Sequence, residues 1–323
     1  MTASLPREVQ DAFARFVTTE YTTIDARQQP ITWPVTPYYE PGGPTIDVTT
    51  GLGYPKKADD AIANPRVALL FSDPTGSGIE GGTEVLVQGI AHVDEADLDA
   101  NRERYMRESA IKLPATVKMH PPKFIRGQLN WYYARIFIQV RPERVFVWPQ
   151  GDPTSPPEVH DSHLEEVRTG HVQEPTEPHA PAAGGGVAWD SRITELGSRY
   201  REAVLSWVGP DGFPIAARLP VSLDQAGHRI RLDSQPAGLP ITAGRACLTA
   251  HAHDDDFNWQ QNFQVRGDLT ETDDGGWALV PHKLVGGFEL PKGPARLGSF
   301  VSRHRRFRRT AKARMKSRGS VAD

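Results

Sequence analysis

The chain predicts a mainly β protein, two small β-barrels in tandem with flanking helices, and two observations carry that prediction. Short β-branched segments bounded by Gly, Pro or Asp recur along the chain with few helical stretches between them, the pattern of a small barrel rather than a doubly wound sheet. The pattern also repeats. Asp25 to Val35 (D-A-R-Q-Q-P-I-T-W-P-V) returns at Asp211 to Val221 (D-G-F-P-I-A-A-R-L-P-V). A basic residue and an apolar strand follow in both, Arg66 to Phe71 against Arg245 to Ala250, and then a strand ending in glycine, Val85 to Gly89 against Phe263 to Gly267. An internal duplication of this size means two copies of one domain. With 323 residues, each copy is large enough to bury its own core.

In chain order, Leu5, Val9, Ala12, Phe13 and Phe16 fall at helical spacing, with Ser4 and Glu8 near the start as capping groups. Tyr21 to Asp25, Ile31 to Val35 and Thr45 to Thr50 read as strands of a meander. A helix over Ala58 to Ala63 precedes strands at Val67 to Phe71 and Glu84 to Val93, and helical stretch Ala96 to Arg107 interrupts the barrel before Tyr132 to Val140 and Arg144 to Trp148. Pro, Glu, His and Gly then dominate as a solvated linker with one short helix near Leu164. The second copy opens with a helix over Ser191 to Leu205 and continues as strands at Phe213 to Val221, Arg229 to Leu232, Ala246 to His251, Phe263 to Leu269, Trp277 to Val280 and Leu284 to Phe288. The resulting division is 1–148, linker 149–188, second copy 189–301 and basic tail 302–323, the tail expected to fray.

The net charge of −3 conceals an uneven distribution. Nine Lys and Arg and no acid lie in Ser302 to Arg318, and removing them leaves −12 on the rest. Cys247 is the only cysteine, which excludes an internal disulfide framework. No basic and apolar leader and no bilayer-length apolar run occurs, so a cytoplasmic protein without transmembrane segment is expected. No G-x-S-x-G, H-E-x-x-H or G-x-G-x-x-G stands in a supporting context, which argues against hydrolase and nicotinamide-domain functions.

One stretch concentrates chemistry. Strand residues Thr49 and Thr50 run into the turn Gly51-Leu-Gly-Tyr-Pro55, then Lys56 and Lys57 at a helix start. Hydroxyls, turn amides, two ammonium groups and a helix N-terminus together make a workable phosphate cradle; composition alone favours a basic surface turn. Copy two has Ser234 to Ile241 there, with no Lys or Arg before Arg245, and reads as the degenerate partner.

Thr49-Thr50, Lys56-Lys57, Ala61, Asn64-Pro65, Val67 to Phe71 and Val87-Gln-Gly89 resemble the pyridoxamine 5'-phosphate oxidase family, whose fold is the FMN-binding split barrel. The resemblance covers most of residues 5–148. It implies that Thr50 and Lys56-Lys57 hold the cofactor phosphate, that Trp33, Pro34, Val35 and Thr36 lie along the flavin ring, and that Val85 to Gln88 form another wall. It also implies FMN or the deazaflavin coenzyme F-420 as cofactor, hydride transfer to a small organic substrate, and a pseudo-dimer within one chain. Further homo-oligomerisation stays open. The C-terminal Arg and His that hold substrate phosphate in true members are missing, so vitamin B6 oxidation is not implied. No catalytic side chain is assigned.

The rival is a non-catalytic flavin or haem binding or sensing protein. Cys247, Thr249, His251 and His253 alternate along one strand and share a face, a set that suits zinc or haem iron. A strand with one buried cysteine and a polar end accounts for them better, and no metal site is predicted. His160, His163, His171 and His179 are read as solvated linker residues. The basic tail allows weak contact with an anionic surface; no sequence-specific nucleic-acid site is expected.

Overall fold

A computed structural model of the chain describes residues 5–80, 82–115, 129–161, 192–287 and 295–319. Two sheets dominate it. The first contains β1 (Thr19–Ile24), β2 (Pro30–Val35), β3 (Tyr38–Tyr39), β4 (Ile46–Gly51), β5 (Arg66–Phe71), β6 (Glu84–Asp94), β7 (Arg135–Trp148) and β8 (Glu158–Asp161). The second contains β9 (Glu202–Val208), β10 (Pro214–Asp224), β11 (Arg229–Leu232), β12 (Gly244–His253), β13 (Gln260–Glu271) and β14 (Trp277–Gly286).

The first sheet runs β2-β1-β5-β6-β7-β4-β3, with β8 on β7, and stays open; the second closes as β10-β11-β14-β13-β12-β9. Matching β2 to β10, β1 to β9, β5 to β12, β6 to β13, β7 to β14 and β4 to β11 makes the two orders identical. Strand length decides closure. β10 has 11 residues, and Val221 to Asp224 reach β11, whereas β2 has 6 and ends at Val35, so β3 takes the edge of β4 instead. Both copies carry a bulge at the same place. Gly89 faces Pro142 across β7 and Gly267 faces Pro281 across β14, and a Cβ on either glycine would run into the carbonyl oxygen of Arg141 or Val280.

Register corrects the reading of the repeat. Val35 pairs with Thr19 and Leu219 with Ala203, and each hairpin turns over the same number of residues, so Pro30 corresponds to Pro214. Pro34-Val35 and Pro220-Val221, which look alike in sequence, are offset by two residues.

Helix α1 (Arg7–Arg15) buries Val9, Ala12 and Phe13 as its periodicity predicts; its N-cap is Pro6, without a side-chain cap, and Ser4 lies outside the described residues. Helix α2 (Lys56–Ala63) follows the candidate cradle, and α3 (Leu98–Lys112) is capped by the Asp97 carboxylate on the amides of Asp99 and Ala100. The expected strand Tyr132 to Val140 loses Tyr132 and Tyr133 to the helix Asn130–Tyr133 and runs unbroken from Arg135 to Trp148. Two larger expectations fail. Ser191 to Leu205 is not a helix: after the 3₁₀ turn Ile193–Glu195 the chain enters β9, where burial on both faces by Ala203, Val204, Leu205 and Trp207 overrides a chance helical spacing. The tail does not fray but forms the helix Ala295–Gly319. The helix expected near Leu164 and His163, His171 and His179 lie outside the described residues; His160 sits on β8.

The sheets pack through a pseudo-two-fold seam. β2 packs on β12 as β10 packs on β5, β2 on β9 as β10 on β1, and β2 on β13 as β10 on β6. That reciprocity is the signature of an isologous interface, here within one chain. One core cluster spans it, joining Ala68, Leu70 and Leu86 to Leu205, Trp207 and Leu248. No described helix is long and apolar enough to cross a membrane.

Candidate functional site

The turn after β4 is shaped by its own residues. A Cβ at Gly51 would meet the Trp131 carbonyl and the Tyr54 ring, so only glycine fits. Thr50 Oγ1 donates to the Tyr54 carbonyl at 2.8 Å and closes the turn, and Lys56 Nζ binds Asp60 Oδ1 at 2.8 Å. Lys57 has no carboxylate partner among the described residues; its ammonium lies 5.7 Å from the centre of the Tyr54 ring.

Opposite Gly51 in the β4–β7 ladder stands Arg135, a residue the sequence reading passed over. It is only 5 % exposed, with its guanidinium 3.9 Å from the Tyr105 ring centre and 4.2 Å from that of Tyr132. Nη1 donates to the Tyr54 hydroxyl at 3.1 Å, and Nε has no partner among the described residues. No described carboxylate neutralises it, and a buried cation held only by ring faces and a phenol is one that an anion would stabilise. Burial, then the neighbouring Arg135 charge, pushes the Lys57 ammonium down to about 8. Burial pushes the Tyr54 phenol up to about 12 against the pull of Arg135. Two cations without a counter-ion among the described residues therefore meet at a glycine turn and a helix start, the composition of a phosphate site.

The C-terminal helix roofs this turn. Phe307 packs its ring on Trp131 at 5.1 Å and on Tyr54 at 5.5 Å, Ala311 is buried, and Arg314 binds Glu95 at 2.9 Å and also Asp59. Beside the roof, Leu52, Asp97, Arg102, Asn130 and Met315 line a cavity of about 360 Å³.

The other expected residues are scattered over the sheet. Trp33, Pro34 and Val35 are half-buried at the end of β2, and Thr36 leads on towards β3. Thr49 points to the face opposite Thr50, the face of Asp47, whose carboxylate takes Arg104 at 2.6 Å. Gln88 is buried on β6 and joins the two copies, with Nε2 donating to the Pro214 carbonyl and Oε1 accepting from Arg144, both at 3.1 Å. The structure thus gathers Thr50, Lys57 and Arg135 around Tyr54, with Lys56 adjacent but ion-paired, and places Trp33 to Thr36 and Gln88 on other strands.

In copy two, Thr50 corresponds to Ser234 and Arg135 to Asp274, the latter ion-paired with Arg231. The polar face of β12 belongs to the seam. His251 Nε2 lies 2.6 Å from Glu20 and 2.8 Å from Arg218, and His253 Nε2 lies 3.1 Å from the Thr18 hydroxyl. Arg218 also reaches Glu20 at 2.8 Å and Ser72 at 2.9 Å. Burial opposes the Glu20 charge, yet His251 and Arg218 hold its carboxyl below the usual range, while nearby Glu84 is pushed by burial up to about 8. Among the described residues no group of acids, Cys and His is arranged to hold a metal.

No protein-family profile and no curated protein matches the chain. Among solved structures, it is similar to a putative pyridoxamine 5'-phosphate oxidase from Listeria innocua, at 16 % identity over 45 % of this chain and 99 % of that one, with a TM-score of 0.32. It is similar to an F-420 reductase at 17 % identity over 44 % of this chain and 98 % of that one, with a TM-score of 0.33. The haem storage protein HutZ of Vibrio cholerae matches at 15 % identity over 45 % of this chain and 95 % of that one, with a TM-score of 0.34. Neighbours of this chain are thus pyridoxamine 5'-phosphate oxidase-like, F-420 reductase and haem storage proteins, each spanning about half of it.

Proposed function

We propose that the chain is a flavin- or deazaflavin-dependent oxidoreductase acting on a small organic substrate, built from a duplicated split barrel of which the first copy binds the cofactor. The observation that carries this reading is the meeting of Lys57 and Arg135, two cations without a carboxylate partner among the described residues, at the Gly51 to Pro55 turn. That donor set fits a phosphate. Lys57, the turn amides and Lys56 would hold it, with Thr49 and Thr50 shaping the strand end and Arg135 adding charge from beneath. Trp33, Pro34, Val35, Thr36 and Gln88 are the residues proposed to face the ring, in the manner the family resemblance implies. When bound, the ring supplies the hydride chemistry, and this chain's part is to anchor, orient and exclude water.

In this reading residues 1–148 form the cofactor domain, 149–188 the linker, 189–301 a second copy without the cradle and 302–323 the basic tail. The haem reading would draw on His251 and His253, which are engaged with Glu20, Arg218 and Thr18 at the seam.

Titration of the protein with FMN, with coenzyme F-420 and with haemin, followed by absorbance and fluorescence, tests the reading. One flavin or deazaflavin per chain is expected, with affinity at least tenfold weaker in Lys57→Ala. Unchanged affinity in that folded variant overturns the site. A bound cofactor that no reductant turns over with any substrate leaves a binding protein rather than an enzyme.

A further inference from the structure

The C-terminal helix Ala295–Gly319 has two unlike sides over its described side chains. Taking Arg305 as the reference and 100° per residue, Phe307, Ala311 and Arg314 fall between about 180° and 240°. These are the residues that anchor the helix on Trp131, Tyr54, Glu95 and Asp59. Arg305, Arg308, Arg309, Lys312 and Lys316 fall within about 60° of the reference, on the opposite side, with Arg306 at their flank. All six are exposed, and none forms an ion pair among the described residues. The anchor thus fixes the helix and turns a ridge of unneutralised cations outward.

We infer that this ridge is a docking surface for the phosphate backbone of duplex nucleic acid, bound without regard to sequence. Three observations select that partner. Four of the six cations are arginines, whose planar forks suit phosphate oxygens. The ridge follows one continuous helix over about 17 Å from Arg305 to Lys316, at the 1.5 Å helical rise, so it meets several phosphates of a rigid duplex at once. Its exposed face has no aromatic side chain to stack on unpaired bases, because Phe307 faces inward, which disfavours single strands. A lipid surface fits less well: the helix directs Phe307 and Ala311 into the protein, leaving Met315 as its exposed large apolar residue among those described. The rest of the chain carries a charge of −12, which repels the same partner and confines contact to the ridge.

The test is fluorescence anisotropy of a labelled 20-base-pair duplex titrated with the full chain. Binding is expected to be equal for unrelated sequences and to weaken by about 10²–10³-fold between 50 and 200 mM salt, as four to six phosphate contacts require. The variant Arg305→Ala, Arg308→Ala, Arg309→Ala, Lys312→Ala leaves Phe307, Ala311 and Arg314 in place, so circular dichroism should be unchanged and affinity at least tenfold lower. The corresponding Arg→Lys variant should recover most of the binding. No binding at 50 mM salt, equal binding by the alanine variant, or a salt slope of less than two ions overturns the inference. So does tighter binding to vesicles containing about a third phosphatidylserine than to the duplex.

Discussion

The start of β7 and the start of β14 occupy the same place in two copies of one strand order, and their charges are exchanged. Copy two has Arg231 and Asp274 there, an ion pair at the surface. Copy one has Asp47 and Arg135, yet these do not neutralise each other. Asp47 is taken by Arg104 of α3, and Arg135 turns to Tyr105, Tyr132 and Tyr54 instead. The helix that supplies Arg104 and Tyr105 lies between β6 and β7, whereas β13 and β14 are joined by a tight turn over Thr272 to Gly276. An inserted helix therefore frees a guanidinium from its carboxylate and surrounds it with rings. The same scaffold makes a neutral corner in one copy and a cationic one in the other.

The largest effect belongs to the seam that holds the copies together. Arg218→Ala leaves Glu20 buried without its cation and should destabilise the protein by about 3–5 kcal/mol in urea unfolding, as broken buried pairs do. A loss below about 1 kcal/mol would mean that the seam does not need its charges.

The next comparison is between cradle and counterpart. Lys57→Ile installs the residue that copy two has at Ile241, and should weaken FMN or F-420 binding by about 1.5–3 kcal/mol, tenfold or more, by removing a charge-assisted bond. Affinity in the wild type should fall as pH rises through about 8, because Lys57 loses its proton there. The sign for stability is opposite. A lysine whose folded pKa lies below its unfolded value adds stability above the unfolded pKa that is lost as pH falls through about 8, so Lys57→Ile should be the more stable protein at pH 7. A binding curve flat from pH 6 to 9 would remove Lys57 from the site.

Phe307→Ala uncovers part of Trp131 and Tyr54 and should lower stability by about 1–2 kcal/mol, read as a shift in melting temperature. The effect confined to one pH window is that of Glu84. Its folded pKa of about 8 exceeds the ordinary carboxylate value, so its contribution is complete at low pH and fades as pH rises through 8. Glu84→Gln should flatten the fall in stability between pH 6 and 9 by roughly 2–3 kcal/mol. A slope equal to the wild type's would show that Glu84 is ionised in the fold.

Much of the fold was legible because alternation, turn residues and the internal echo are local signals. Arg229 to Leu232 was placed at both ends, and Arg66 to Phe71 to within a residue. Ser191 to Leu205 misled because Ile193, Leu196, Tyr200 and Val204 keep helical spacing while facing a core from a turn and a strand. The tail misled in the other direction: Phe307 and Ala311 are too few for a periodic face, and what orders the helix is Trp131 and Tyr54, distant in sequence. Lys57 was visible as part of a motif. Arg135 was not, since its meaning comes from the ladder that puts it opposite Gly51, although the aromatic run Trp131-Tyr-Tyr133 just before it marked the place.

Phe307 closes on a turn made about 250 residues earlier in the chain. On a ribosome adding about 5–20 residues per second, the turn and Lys57 wait roughly 10–50 s before their roof exists. Through that interval Lys57 lies beside a Tyr54 ring that Phe307 has yet to cover. A phosphate-bearing molecule that arrives during synthesis meets a bare turn, and one that arrives afterwards meets a turn flanked by a helix tied down by Arg314.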